Sequence, residues 1–265
     1  MAGYSNFLLL FSYCIISLSS LNHAHRSGRH ASSTGRVVGG SETDISKIPF
    51  QISFLSREKP CGGSLIGDRW VLTAAHCTHT IDVKSLQIRV GSSHFASGGQ
   101  LIQVKRVLQH PQYNNDIIDY DFSLLELTEA VVLNKTFFAV DLPKQDEPII
   151  DGTLLQISGW GQTRNPLECN DVLRVAQVPV VNQEQCKMAY SPNPFDVVTE
   201  RMLCAGYLID GGTDTCQGDS GGPLVAGRKL IGVTSWGGEC AQPGFPGVYS
   251  RVAAVRNWIH KSCGI

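Results

Sequence analysis

The chain is 265 residues long and carries 22 Lys and Arg against 23 Asp and Glu, a formal net charge of −1. Such a length holds one large domain or two small ones with a sizeable core. The near-neutral balance offers no broad basic surface, which argues against nucleic acid as a partner. Apolar residues make up 42% of the chain, so it is a folding sequence rather than a disordered one.

The first element in chain order is Phe7–Leu21, almost wholly apolar. It falls short of the roughly 20 apolar residues that cross a bilayer, so a signal peptide is expected over residues 1–20, with cleavage after Ser19, Ser20 or Ala24. The mature protein is then secreted and extracellular, with no membrane anchor. Cysteine usage agrees with export. Nine cysteines are present and Cys14 leaves with the signal, which leaves an even number for an oxidising compartment. Residues 22–36 are small, polar and basic, an exposed stretch without a core of its own.

From Val37 the texture changes to short apolar runs set between Gly, Pro, Asn and Asp. Strands are expected over Gln51–Leu55, Trp70–Thr73, Leu86–Val90, Gln100–Leu108, Phe122–Leu127, Thr153–Ser158, Val172–Val181, Lys229–Ser235 and Gly247–Val252. This is an all-β pattern. Two helices interrupt it: Gln183–Tyr190, capped by Asn182, and Ala253–His260 near the C-terminus.

Three motifs carry chemistry. They are TAAHC (Thr73–Cys77, with His76), DYDFSLLEL (Asp119–Leu127, with Asp121) and CQGDSGGP (Cys216–Pro223, with Ser220). A serine hydroxyl is a weak nucleophile at neutral pH. It needs a base to take its proton, and the base needs an acid to orient it. Each residue alone is uninformative, since a lone His is usually a surface or core residue and GDSGG alone is a tight turn.

Together, in the order His, Asp, Ser, the motifs resemble the chymotrypsin/trypsin family from Val37 to the C-terminal helix. The resemblance implies two antiparallel six-stranded β-barrels with a C-terminal helix, roughly residues 37–145 and 146–265. It implies Ser220 as nucleophile, His76 as base and Asp121 as orienting acid, with Asp119 the nearby competitor. It makes the N–H groups of Gly218 and Ser220 the oxyanion donors. Arg36-Val37-Val38-Gly39-Gly40 resembles the family's activation site: residues 21–36 would be a propeptide, and the new α-amine of Val37 would pair with Asp219.

The family's specificity pocket maps onto Asp214 at the base, which implies cutting after Arg or Lys. Its walls would come from Thr215, Gln217, Ser235, Trp236, Gly237 and Gly247, and Ile118 with Trp236 would line sites for residues before the cut. Thr215 stands where the family usually has Ser, and Glu239 where it usually has Gly. The resemblance pairs Cys61 with Cys77, Cys186 with Cys204, and Cys216 with Cys240. A further family bridge is absent, its positions holding Leu155 and Ala226. Cys169 and Cys263 could pair with each other, stay free or bridge two chains.

No cofactor and no metal is implied. Residues 92–100 (SSHFASGGQ) are shorter than the family's calcium loop and lack its acids, and His23, His25 and His30 fall in the leader. Asn134-Lys135-Thr136 is a glycosylation sequon. Expected partners are polypeptide substrates, protein protease inhibitors and an activating trypsin-like protease, the same enzyme included, acting on a monomer. Two rival readings are an inactive protease-like binding protein and a regulatory protease of a cascade.

Overall fold

The computed structural model describes residues 37–55, 60–132, 138–163 and 171–265. The expected signal peptide, the propeptide with Arg36, the Asn134 sequon and Cys169 lie outside the described residues. Thirteen strands form: β1 (Ser41–Glu42), β2 (Gln51–Leu55), β3 (Cys61–Leu65), β4 (Trp70–Thr73), β5 (Gln87–Val90), β6 (Gln100–Gln109), β7 (Ser123–Leu127), β8 (Leu154–Gly159), β9 (Arg174–Val181), β10 (Met202–Ala205), β11 (Pro223–Ala226), β12 (Lys229–Trp236) and β13 (Gly247–Arg251). The helices are α1 (Gln183–Tyr190) and α2 (Arg256–Cys263).

β2 to β7 close into one barrel in the order β2-β3-β4-β7-β6-β5. β8 to β13 close into a second, in which β9 pairs with both β8 and β10 and β11 returns to β8. Every pairing is antiparallel. Closure removes the free strand edges that an open sheet would expose. The period-2 signal is clear where one face meets solvent: in β5, Ile88 and Val90 are buried while Gln87 and Arg89 point outward. β2 is buried on both faces instead, because the outward Gln51 meets the other barrel through a 2.5 Å hydrogen bond donated by Ser158 Oγ.

Nine strands fall where the sequence predicts them, within two residues at either end. β1, β3, β10 and β11 were not expected. β3 reads CGGSL, and its two glycines mask a strand signal. Gly62 sits where the barrels touch, and a Cβ on it would crowd Gly222 Cα at 3.1 Å. α1 matches its expected span, and Asn182 Oδ1 accepts from the N–H groups of Glu184 and Gln185. The C-terminal helix lies further along than Ala253–His260. Val252–Val255 tighten into a 3-10 turn, and α2 runs on to a left-handed Gly264 (φ 80°).

The two ends of the described chain cross over. β1 pairs with β9 of the second barrel, while Ile259 of α2 is buried in a core shared with first-barrel residues such as Leu65 and Leu124. Val37, at the other end, is fully buried among Leu155, Ile157 and Tyr249 of the second barrel.

Candidate active site

The cleft between the barrels gathers residues from both. Ala75–Cys77 form a 3-10 turn directly after β4, and this sets His76 at the end of that strand. Asp121 sits just before β7, fully buried. Its Oδ2 lies 2.7 Å from His76 Nδ1, and its Oδ1 accepts the His76 backbone N–H at 2.8 Å. A third donor, Ser235 Oγ of β12, reaches Oδ2 at 2.6 Å from the second barrel. Three donors hold this carboxylate in one orientation and so fix the plane of the ring beside it.

Asp119 takes no part in that contact. It accepts from Arg201 Nη2 at 2.5 Å and Thr199 Oγ1 at 2.8 Å. These partners hold its carboxyl below the usual range against the opposing effect of burial. Of the two acids, Asp121 contacts His76 and Asp119 contacts Arg201.

Ser220 lies across the cleft in a glycine-bedded loop tied to the first barrel: Gly62 N–H donates to Ser220 O at 2.7 Å. Gly221 N–H donates to Thr234 O at 2.8 Å. Gly218 has φ +100°, a conformation that favours glycine. Among the described residues, the N–H groups of Gly218 and Ser220 have no backbone acceptor.

Asp219 points the opposite way, into the protein, 1% exposed. It accepts from Gly161 N–H at 2.8 Å and Cys216 N–H at 2.9 Å. Burial pushes its carboxyl up to about 6, only partly countered by those two amides. Gly159 and Gly161 exist to admit it, since Cβ atoms there would come within 2.1 and 2.5 Å of its side chain.

A narrow cavity of about 190 Å³ leads from Ser220 down to Asp214. Its walls include Thr215, Gln217, Ser235, Trp236, Gly237 and Gly247. Asp214 accepts from Thr215 N–H at 2.8 Å and Ala241 N–H at 3.0 Å. Burial pushes its carboxyl up to about 7. Gly237 and Gly247 face each other across the slot, where a Cβ on Gly237 would meet Gly247 Cα at 3.8 Å. The Thr215 hydroxyl is 3.3 Å from Tyr249 Oη. Ile118, at the tip of the turn closed by Asn114 and Asp119, lines neither this cavity nor the one described next.

A second cavity of about 560 Å³ is lined by both Ser220 and His76, with Gly218 and Gln217. Phe95 and Trp160 contribute to its wall. The sequence reading missed it, along with the contacts of Ser235 and Arg201. All arise between residues far apart in the chain, and no local signal marks them.

The three expected disulfides form: Cys61–Cys77, Cys186–Cys204 and Cys216–Cys240. Cys263 is a free, half-buried thiol donating to Ile259 O at 3.1 Å. Ala226 packs against the core that contains Leu155, so an apolar contact stands where the family has a bridge. Among the described residues, Cys61, His76 and Cys77 group closely enough to hold a metal, but the two sulfurs are spent in their disulfide. In the loop after Gly91, the Arg89 guanidinium donates to the carbonyls of Phe95, Ala96 and Gly98. A fixed organic cation thus gathers those oxygens. Among the described residues, no helix is long and apolar enough to cross a membrane.

An imidazole held by a buried carboxylate, facing a serine in a cleft between two β-barrels, defines a serine hydrolase of the double-barrel class. The comparisons narrow the class. The Trypsin family model matches residues 37–259. The chain is 52% identical over 235 residues to Trypsin 5G1 of Aedes aegypti, covering 88% of this chain and 87% of that one. It is 48% identical over 225 residues to a trypsin of Simulium vittatum, covering 83% and 90%. It is 40% identical over 228 residues to a vitellin-degrading protease of Bombyx mori, covering 86% and 85%. The chain belongs to the trypsin family and is a serine endopeptidase, an enzyme that acts on polypeptides.

Proposed function

We propose that the chain is the secreted precursor of an endopeptidase that cuts after Arg and Lys, activated by cleavage after Arg36. The observation that carries the specificity is Asp214, buried at the base of a cavity that ends on Ser220. A lone anion in a narrow, poorly hydrated slot selects a long cationic side chain. Arg can meet it through its planar fork, Lys as a point charge. Two of the three relatives described above are named as trypsins, which supports the same choice.

In the catalytic cycle, Ser220 Oγ attacks the carbonyl of the bond to be cut. His76 takes its proton and returns it to the leaving amine. Asp121, held by Ser235 and the His76 N–H, keeps Nδ1 protonated and stabilises the imidazolium. This is the triad chemistry general to the family. The N–H groups of Gly218 and Ser220 receive the developing oxyanion. One such preorganised donor is worth roughly 3–4 kcal/mol of the barrier. Acyl-enzyme formation and hydrolysis then follow by the same proton traffic.

Residues 1–20 serve as the signal and 21–36 as the propeptide. Cleavage creates an ammonium on Val37, whose neighbourhood supports the switch. Val37 is already buried in the second barrel, and Val38 bridges to Asp214. Asp219 is buried with only amide donors for company. A buried charge without a counter-ion is costly, and breaking such a pair costs about 3–5 kcal/mol. The ammonium would supply that counter-ion and hold the loop of Gly218 and Ser220 in its productive form.

The test is the Arg36→Gln chain, expressed for secretion and assayed on tripeptide anilides ending in Arg, Lys, Phe or Leu. The variant is expected in the medium without activity. The wild-type chain cleaved after Arg36 should hydrolyse only the Arg and Lys substrates. Full activity of the uncleaved variant would refute the switch, and equal rates on Phe and Arg substrates would refute the pocket assignment.

A further inference from the structure

We propose that Gln109 is a positioning residue for His76, clamping the peptide group that carries the His76 N–H through a buried network with Thr78 and Ser123. The inference rests on the reading of His76 as the base that serves Ser220. Gln109 is the last residue of β6 and pairs with Ser123 across the β6–β7 ladder. Ser123 opens β7, two residues after Asp121. Thr78 closes the 3-10 turn that holds His76. Two strands and the turn thus meet at three polar side chains.

The hub of the network is the carbonyl of Ala75. Gln109 Nε2 donates to Ala75 O at 3.2 Å and to Thr78 Oγ1 at 2.9 Å. The Thr78 hydroxyl stands 3.0 Å from both Ala75 O and Ser123 Oγ. It carries one hydrogen, so when it donates to Ala75 O, Ser123 donates to it in turn. The backbone N–H groups of Thr78 and His79 reach the same carbonyl at 2.9 and 2.8 Å. Thr78 and Ser123 are buried, so little water competes for these bonds.

The Ala75 C=O and the His76 N–H are the two ends of one peptide group, which is planar and moves as a unit. Its N–H end donates to Asp121 Oδ1 at 2.8 Å, and its carbonyl end is gripped by Gln109 and Thr78. A tilt of that plane would turn the His76 Cα, and with it the ring whose Nδ1 meets Asp121 Oδ2 at 2.7 Å. Bonds to the carbonyl also polarise the peptide and strengthen its N–H as a donor. A fully satisfied buried network is rigid, whereas removing one member leaves the others unpaired. With an apolar side chain in place of Gln109, the turn would keep its backbone bonds but lose the clamp from β6. The imidazole would then hold its productive geometry toward Ser220 for less of the time, and the reaction would slow.

The experiment compares Gln109→Met, Thr78→Val, Thr78→Ser and the double variant Gln109→Met/Thr78→Val, each cleaved after Arg36 and counted by active-site titration with an acylating reagent. Hydrolysis of an Arg tripeptide anilide gives kcat and KM per titrated site, so differences in folded fraction cancel. In Gln109→Met, kcat should fall about tenfold with KM within about twofold, the rate equivalent of about 1.4 kcal/mol or one net hydrogen bond. Thr78→Val should lose a similar factor, and the double variant little more than either single one. Thr78→Ser restores the hydroxyl and should recover most of the rate. The low-field NMR resonance of the His76 Nδ1 proton should move upfield in Gln109→Met, a change that a remote loss of stability does not produce. A kcat within about twofold of wild type in both Gln109→Met and Thr78→Val overturns the proposal, and so does a lower unfolding temperature with the resonance unmoved. His76→Ala tests the catalytic reading separately, since hydrolysis that survived it would overturn the role of His76 itself.

Discussion

Protonation of Asp214 gives a direct way to weaken the primary pocket without mutating it. The carboxyl is 5% exposed, and burial carries it from an ordinary 3.8 to about 7 in the empty site. A shift of that size corresponds to about 4 kcal/mol of disfavour for the anion. A cationic ligand binds the ionised form and repays the lost hydration, so the bound carboxyl returns toward its ordinary range. The sign follows: affinity is full above pH 7 and is lost as the pH falls. For a ligand that binds the anion alone, the dissociation constant should weaken about tenfold at pH 6 and about a hundredfold at pH 5. The assay is calorimetric titration of an aryl amidine into the cleaved enzyme, in a His76→Ala background so that the pocket acid alone reports. Two buffers of different ionisation enthalpy should reveal about one proton released per ligand at pH 6. In Asp214→Asn the affinity should be low and flat with pH. Affinity that stays constant from pH 8 to pH 5, with no proton release, would refute the assignment of a raised carboxyl at the base of this slot.

Three further outcomes are expected. In the uncleaved chain Asp219 lies at about 6, so the folded state holds more protons than the unfolded one between about pH 4 and 6. Stability should therefore fall by about 3 kcal/mol as the pH rises through that window, and cleavage after Arg36 should flatten the fall. Identical pH slopes in denaturant melts of the two forms would refute the pairing. Gly159→Ala would bring a Cβ to 2.1 Å from Asp219 Oδ1. It should cost several-fold in secreted yield and most of kcat, and wild-type kcat would show that the loop yields cheaply. Arg201→Met leaves Asp119 without its cation across the barrels. With Arg201 about a third exposed, thermal unfolding should register about 1–2 kcal/mol, and a silent variant would mean that Thr199 alone suffices.

Much of the site was legible in the sequence because its chemistry is concentrated in short contiguous motifs. CQGDSGGP places the proposed nucleophile, a proposed oxyanion donor and a buried acid within three residues, and the positive φ of Gly218 and Gly221 favours glycine around them. Asp214 lies on the same loop, six residues earlier, so the pocket base could be named with the nucleophile. Asp121 was preferred over Asp119 because it directly precedes the Phe122–Leu127 run, and Asp121 is the one of the two that contacts His76, at 2.7 Å. Strands with a solvent face announced themselves through alternation, as in β5. β3 did not, because Gly62 answers to contact between the barrels and Gly63 to the crowding of Ile52 and Val71 in its own barrel, rather than to strand propensity.

What the sequence determined by itself was local: which residues can do chemistry, which runs alternate, and which loops need glycine. Tertiary structure decided what meets across the cleft. Ser235 steadies Asp121 from 114 positions away, Arg201 claims Asp119 from 82, and Trp160 anchors the Phe95 loop from 67. The physical cause is the architecture itself. Each barrel is specified by its own strand pairing, but the cleft is a surface between two barrels. A contact there depends on how the two pack, which the patterning within either one does not encode.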